Sequence, residues 1–118
     1  MNKYQSFKKE CEDEIDNQGN SEDFKKISKD WFEAAQKYKY SYHFEFLGRP
    51  IIQYPQDIVA LQEIIWSVKP DLIIETGIAH GGSIMLSASL LAQLDLFDSL
   101  NHNDGVISVK RKVIGLDI

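Results

Sequence analysis

The chain has 118 residues, 43% of them hydrophobic and 26% charged, an ordinary composition for one small globular domain and too short for two. A net charge of -5, from 18 acidic against 13 basic residues, gives no electrostatic reason to bind nucleic acid or an anionic membrane. The one cysteine, Cys11, has no internal disulfide partner and sits in an acidic stretch, and no redox or catalytic role is expected of it. No apolar run reaches the roughly 20 residues of a membrane span, and the start lacks the apolar core of a secretory signal, so a reducing cytoplasm is expected.

Residues 1–20 are strongly charged and close on Asn17-Gln18-Gly19-Asn20, a turn-like cluster; a frayed helix or mobile arm is expected there, preceding a domain over 21–118. Residues 21–39 carry helix signals. Ser21 is a capping residue, and Glu22 and Asp23 fall where the helix dipole favours acids. Phe24, Ile27, Trp31 and Ala34 or Ala35 recur at helical spacing and predict one buried face. Tyr38, Tyr40, Tyr42, Phe44 and Phe46 alternate with other residues, which predicts an extended segment, and core or lid packing is their simplest role.

Gly48-Arg49-Pro50 reads as a turn. Pro55 suits the first position of a helix, with Ile58, Leu61, Ile64, Ile65 and Val68 as its apolar stripe and Lys69-Pro70 as its stop. Leu72-Ile73-Ile74 is a short apolar run of the kind found in strands buried on both faces of a parallel sheet. The turn Glu75–Ser83 follows. Residues 84–94 are then almost continuously apolar, with Ser87, Ala88 and Ser89 among them, and predict a helix packed closely on the sheet. A polar connection is expected over 95–111, containing Asn101, Asn103, Asp104 and Gly105, before a second strand from Val113. Strand, glycine turn, helix and strand over 71–118 make one βαβ unit, with its strands parallel.

The turn carries the chemistry. Glycines at a strand-to-helix bend permit positive φ and close approach of a ligand, and a helix start offers free N–H groups. Gly77 and Gly82 have P-loop spacing and Ser83 follows, but no lysine stands between them, which speaks against a triphosphate. Ile78 and Ala79 follow Gly77, so the second glycine of a dinucleotide site is missing. S-adenosylmethionine has an amino-acid end and a ribose but no phosphate. Backbone N–H groups near Gly81, Gly82 and Ser83 suit its carboxylate, Glu75 its ammonium, and Asp117 both ribose hydroxyls. Each member has a plainer reading: a tight turn for Gly81-Gly82, a helix cap for Glu75, a polar strand end for Asp117. The joint pattern is more specific than any one of them. With histidines scattered at 43, 80 and 102 and a single cysteine, this chain alone is not expected to bind metal.

The segments Gly48–Gln53, Pro55-x-Asp57, Gln62–Trp66, Lys69–Ser83 and Val113–Ile118 together resemble the cephalosporin hydroxylase family, which includes rhamnosyl O-methyltransferases. The run Glu75–Ser83 is the most specific part. The resemblance implies a Rossmann-like class I methyltransferase fold, of which this chain is the N-terminal part: a helical extension plus one βαβ unit. It implies cofactor contacts by Glu75, Gly77, Ala79, His80, Gly81, Ser83 and Asp117. It also implies a magnesium site in some members, built from acids beyond Ile118. The expected reaction is methyl transfer to a hydroxyl of a sugar or other small metabolite, with His80 a candidate for cofactor positioning or proton removal. A homo-oligomer is compatible with this reading. The loop 95–111 departs from the family pattern, and the family continues beyond Ile118, so a truncated, inactive chain is expected. The rival reading is a remnant that binds cofactor without turnover.

Overall fold

The computed structural model describes residues 2–102 and 105–118; Asn103 and Asp104, part of the expected polar connection, lie outside the described residues. The chain is α/β and divides into two compact units, one ending at Tyr38 and the other spanning Lys39–Ile118.

The first unit is two helices, α1 (Lys3–Asn20) and α2 (Glu22–Lys37). Helix α1 opens with a reciprocal cap: the Asn2 side chain accepts from the Gln5 N–H at 2.9 Å, and the Gln5 side chain accepts from the Asn2 N–H at 3.1 Å. The helix takes in the Asn17–Asn20 cluster read as a turn and buries no residue. Ser21 ends it and caps α2, its hydroxyl accepting from the Phe24 N–H at 3.2 Å, as its residue type predicts. The expected buried face of α2 is corrected: only Ala35 is buried, while Phe24, Ile27 and Trp31 remain substantially exposed. Helical spacing fixes which side chains share a stripe, but burial needs a surface to cover that stripe.

The second unit begins with a 3-10 turn, Tyr40–Tyr42, and an antiparallel hairpin, β1 (Phe44–Phe46) and β2 (Arg49–Ile51). The aromatic run is therefore extended only from Phe44. The hairpin turn is Leu47-Gly48, one residue earlier than expected, with φ of 48° and 78°. Two central residues at positive φ match the twist of a two-residue hairpin. Helix α3 (Pro55–Val68) starts on its proline and ends on Lys69 in the left-handed region, φ 48°.

Strand β3 (Leu72–Thr76) pairs in parallel with β4 (Lys112–Leu116), Leu72 opposite Lys112 and Thr76 opposite Leu116. Helix α4 (Gly82–Asn101) joins them. It runs seven residues past the predicted limit at Leu94 and shortens the polar connection accordingly. By length and composition α4 is apolar enough to cross a membrane, yet its Leu86, Leu91 and Leu94 are buried in the fold. The core joins Ile65 of α3 to Leu91 and Leu94 of α4, with Leu61, Ile73, Leu90 and Val113 half-buried around them. The sheet is covered on one face only. Ile73 and Val113 face the helices, whereas Leu72, Ile74, Ile114 and Leu116 are exposed, which corrects the reading of strands buried on both faces.

Candidate functional site

Strand β3 delivers Glu75 and Thr76 to its carboxyl end, and β4 delivers Asp117 immediately beyond its own. The connection into α4 is built on positive φ at Gly77 (78°), Ala79 (47°) and Gly81 (86°). Three such residues in five bend the chain sharply from strand to helix. Ala79 holds a left-handed conformation that a side chain disfavours by about 1–2 kcal/mol. The dinucleotide glycine missing from the sequence is thus missing only as a residue type, because the backbone conformation is there.

Backbone contacts lock the turn. Gly77 N–H donates to Leu116 O at 2.8 Å, extending the ladder past β3, and Gly81 N–H donates to Ile78 O at 2.9 Å. The Asp117 carboxylate spans both sides of the cleft. Its Oδ2 accepts from the Ile78 N–H at 3.0 Å and its Oδ1 from the Ile118 N–H at 2.8 Å. Backbone N–H donation, first from Ile78, then Ile118 and Ala79, holds Asp117 below the usual carboxylate range. Asp117 is exposed, and a carboxylate has about four acceptor positions, so capacity remains for hydroxyl donors. Glu75 is half-buried and accepts a short hydrogen bond from the Ser83 hydroxyl, which brings together two of the residues singled out above.

Gly81 caps α4 without a side-chain hydrogen bond. The N–H groups of Gly82, Ser83 and Ile84 therefore stand at a helix start where the helix itself supplies no acceptor. The two glycines differ in role. A Cβ on Gly77 would meet nothing within 4 Å, so the cradle there is open. A Cβ on Gly82 would lie 2.4 Å from Pro50 O and 2.7 Å from Ile51 Cβ, so Gly82 is a packing contact on the hairpin. Gly115 plays a matching part in β4, where a Cβ would lie 2.3 Å from Ile84 Cδ1. The His80 ring is exposed and makes no hydrogen bond among the described residues; its backbone carbonyl accepts from Arg49 Nη1 at 3.4 Å.

An open groove of about 500 Å³ lies along Thr76, Gly77, Leu116, Asp117 and Ile118. A second depression, of about 320 Å³, borders Ser83 and is lined by Gln53, Asp57, Leu61 and Leu86. The two flank the turn. The donor set fits a ligand with hydroxyls for Asp117, a cation for Glu75 and an anion for the start of α4. No group of three or more His, Cys, Asp or Glu able to hold a metal occurs among the described residues.

Two features escaped the sequence reading. Arg49 reaches the turn from 31 residues earlier in the chain, and nothing in its local pattern marks it. Asp95, Asp98 and Arg111 form a cluster at the far end of α4, where Arg111 Nη1 lies 2.7 Å from Asp95 Oδ1 and 2.9 Å from Asp98 Oδ2. An apolar helix interrupted by acids sixteen and thirteen residues ahead of an arginine was the only available signal, and it was read as a loop.

The family model for rhamnosyl O-methyltransferase/CmcI proteins matches residues 38–118, which coincides with the second compact unit. No curated protein and no solved structure matches the chain.

Proposed function

The chain belongs to the rhamnosyl O-methyltransferase/CmcI family, and from that premise we propose that its second unit is the cofactor-binding part of an S-adenosylmethionine-dependent O-methyltransferase with a Rossmann-like fold. The acceptor is a hydroxyl of a sugar or a similar small metabolite. The observation that carries the reading is the pairing of Glu75 and Asp117 at the carboxyl ends of adjacent parallel strands, on either side of an open glycine turn. Ligands of open α/β sheets bind at that edge.

When bound, S-adenosylmethionine supplies an electrophilic methyl group on a sulfonium. Asp117 accepts from the ribose hydroxyls while its bond to the Ile78 N–H keeps the turn closed over the same carboxylate. Glu75, oriented by the Ser83 hydroxyl, holds the ammonium. The free N–H groups of Gly82 and Ser83 take the carboxylate. The open contour at Gly77 lets the ligand lie against backbone. His80 faces solvent beside the turn, where its ring is available to position the cofactor or to take the acceptor's proton. Any magnesium would need ligands other than those described here.

A second reading is a chain that binds cofactor without turning it over. It is favoured by the outer face of the sheet, where Leu72, Ile74, Ile114 and Leu116 are exposed and no described residue covers them. Calorimetric titration of the purified protein with S-adenosylmethionine, run beside a labelled-methyl transfer assay over a panel of sugars, separates the readings. Binding with transfer supports the enzyme, binding alone supports the second reading, and no binding defeats both.

A further inference from the structure

Arg49 opens β2, and the next two residues of that strand meet the start of α4 with no room to spare. A Cβ on Gly82 would overlap Pro50 O at 2.4 Å and Ile51 Cα at 2.8 Å. Ile51 is only 1% exposed. The hairpin and the first turn of α4 are therefore fixed against each other, and the backbone of Arg49 is fixed with them. The side chain crosses the turn: its Cδ and Nη1 both lie 3.6 Å from where a Gly81 Cβ would stand, and Nη1 donates to His80 O at 3.4 Å. That carbonyl is its one hydrogen-bond partner, and Arg49 forms no ion pair among the described residues. Arg49 is exposed, so the remaining N–H donors of its guanidinium are open to solvent or to a ligand. A cation beside the positive end of a helix dipole is also unfavourable unless an anion sits between them.

We propose that Arg49 is a ligand-binding residue of this site, its guanidinium meeting the carboxylate on the amino-acid end of the bound cofactor. The proposal rests on the cofactor reading above and adds to it a residue from outside the βαβ unit. A planar fork matches a carboxylate in geometry as well as charge. The His80 carbonyl lies beside the fork, and the Gly82 contact sets its origin.

The test compares two ligands. S-adenosylhomocysteine carries the amino-acid end; 5′-methylthioadenosine keeps the adenosine and thioether but lacks it. Titration calorimetry on the purified protein should show Arg49→Ala weakening S-adenosylhomocysteine roughly 10- to 100-fold, the loss of a charge-assisted pair. Its affinity for 5′-methylthioadenosine should be unchanged. Arg49→Lys, which keeps a point charge and loses the fork, should fall between Arg49→Ala and the unaltered protein. Asp117→Ala should weaken both ligands, because both contain the ribose. Unchanged binding of S-adenosylhomocysteine by Arg49→Ala overturns the proposal and leaves the cofactor reading standing. An equal loss for both ligands also overturns it, since Arg49 would then act only by shaping the turn. An unaltered protein that binds neither ligand removes the cofactor reading and this proposal together.

Discussion

The two ends of α4 are built from similar parts and finished in opposite ways. At the far end, Asp95 is 2% exposed and its oxygens are taken: Oδ2 accepts from the N–H groups of Lys110 at 2.8 Å and Arg111 at 3.0 Å, and Oδ1 meets the Arg111 guanidinium. Ser99 adds a further tie, accepting from the Ser108 N–H at 3.0 Å. At the near end, Asp117 is exposed with acceptor capacity left over, the helix N–H groups have no cap, and Arg49 has one weak partner. Both aspartates titrate low. Burial pushes the Asp95 carboxyl up, but its hydrogen bonds from Arg111 and Lys110 outweigh that and hold it below the usual range. Hydrogen bonds that Arg111 donates to Asp98 and then to Asp95 raise its guanidinium in turn. A depressed carboxylate therefore does not by itself distinguish a clamp from a site. What distinguishes them is whether the aspartate's acceptor capacity is used up inside the chain, since even at the far end Arg111 Nε is buried without a partner.

The contrast breaks most visibly at Arg111. Arg111→Ala leaves the Asp95 charge buried without its cation and should cost about 3–5 kcal/mol of stability. Chemical denaturation measures that cost, and the protein that remains folded should keep its ligand affinity. A large loss of affinity with normal stability would reverse the roles assigned to the two ends. Gly82→Ala should cost about 1–3 kcal/mol, since the added methyl collides with backbone rather than with a movable side-chain tip. Thermal melting checks it, and Gly77→Ala is the informative partner: its Cβ meets nothing, so its cost should come from the positive φ alone.

Acid sharpens the comparison further. A carboxylate whose folded pKa is depressed contributes stability above its unfolded pKa and loses it as pH falls through the folded value. Asp95 and Asp117 should therefore hold their contributions from neutral pH down to about pH 5 and lose them below the ordinary carboxylate range. Asp95→Asn should flatten the acid limb of a stability-against-pH curve, and an unchanged limb would show that other carboxylates carry it. The smallest effect belongs to the first unit. Lys26 and Asp30 form an exposed pair on α2 at 2.6 Å, and Lys26→Ala should shift stability by under about 0.5 kcal/mol.

How much of this was legible in the sequence follows the range of the interactions. The cap at Ser21, the helix start at Pro55, the stop at Lys69 and the parallel pairing of the two strands rest on local signals and on the βαβ pattern, and those readings hold. Burial was misread where it depended on what lies opposite: the α2 stripe and the outer face of the sheet are apolar but exposed. The end of α4 was misread because Asp95 and Asp98 look like loop formers until Arg111 arrives from the next segment. In the turn, Glu75 and Asp117 were legible as strand ends. Arg49 was not, because its tie to His80 spans 31 residues, and Ala79 occupies a left-handed position that its residue type conceals.

Asp117 tests most directly the proposal that the near end of α4 is the ligand end. Calorimetric titration with S-adenosylmethionine should show Asp117→Ala binding about 10- to 100-fold more weakly than the unaltered protein, while Arg111→Ala, compared under conditions where it is folded, binds as the unaltered protein does. Equal affinity for Asp117→Ala and the unaltered protein, with the loss appearing in Arg111→Ala instead, would contradict the account.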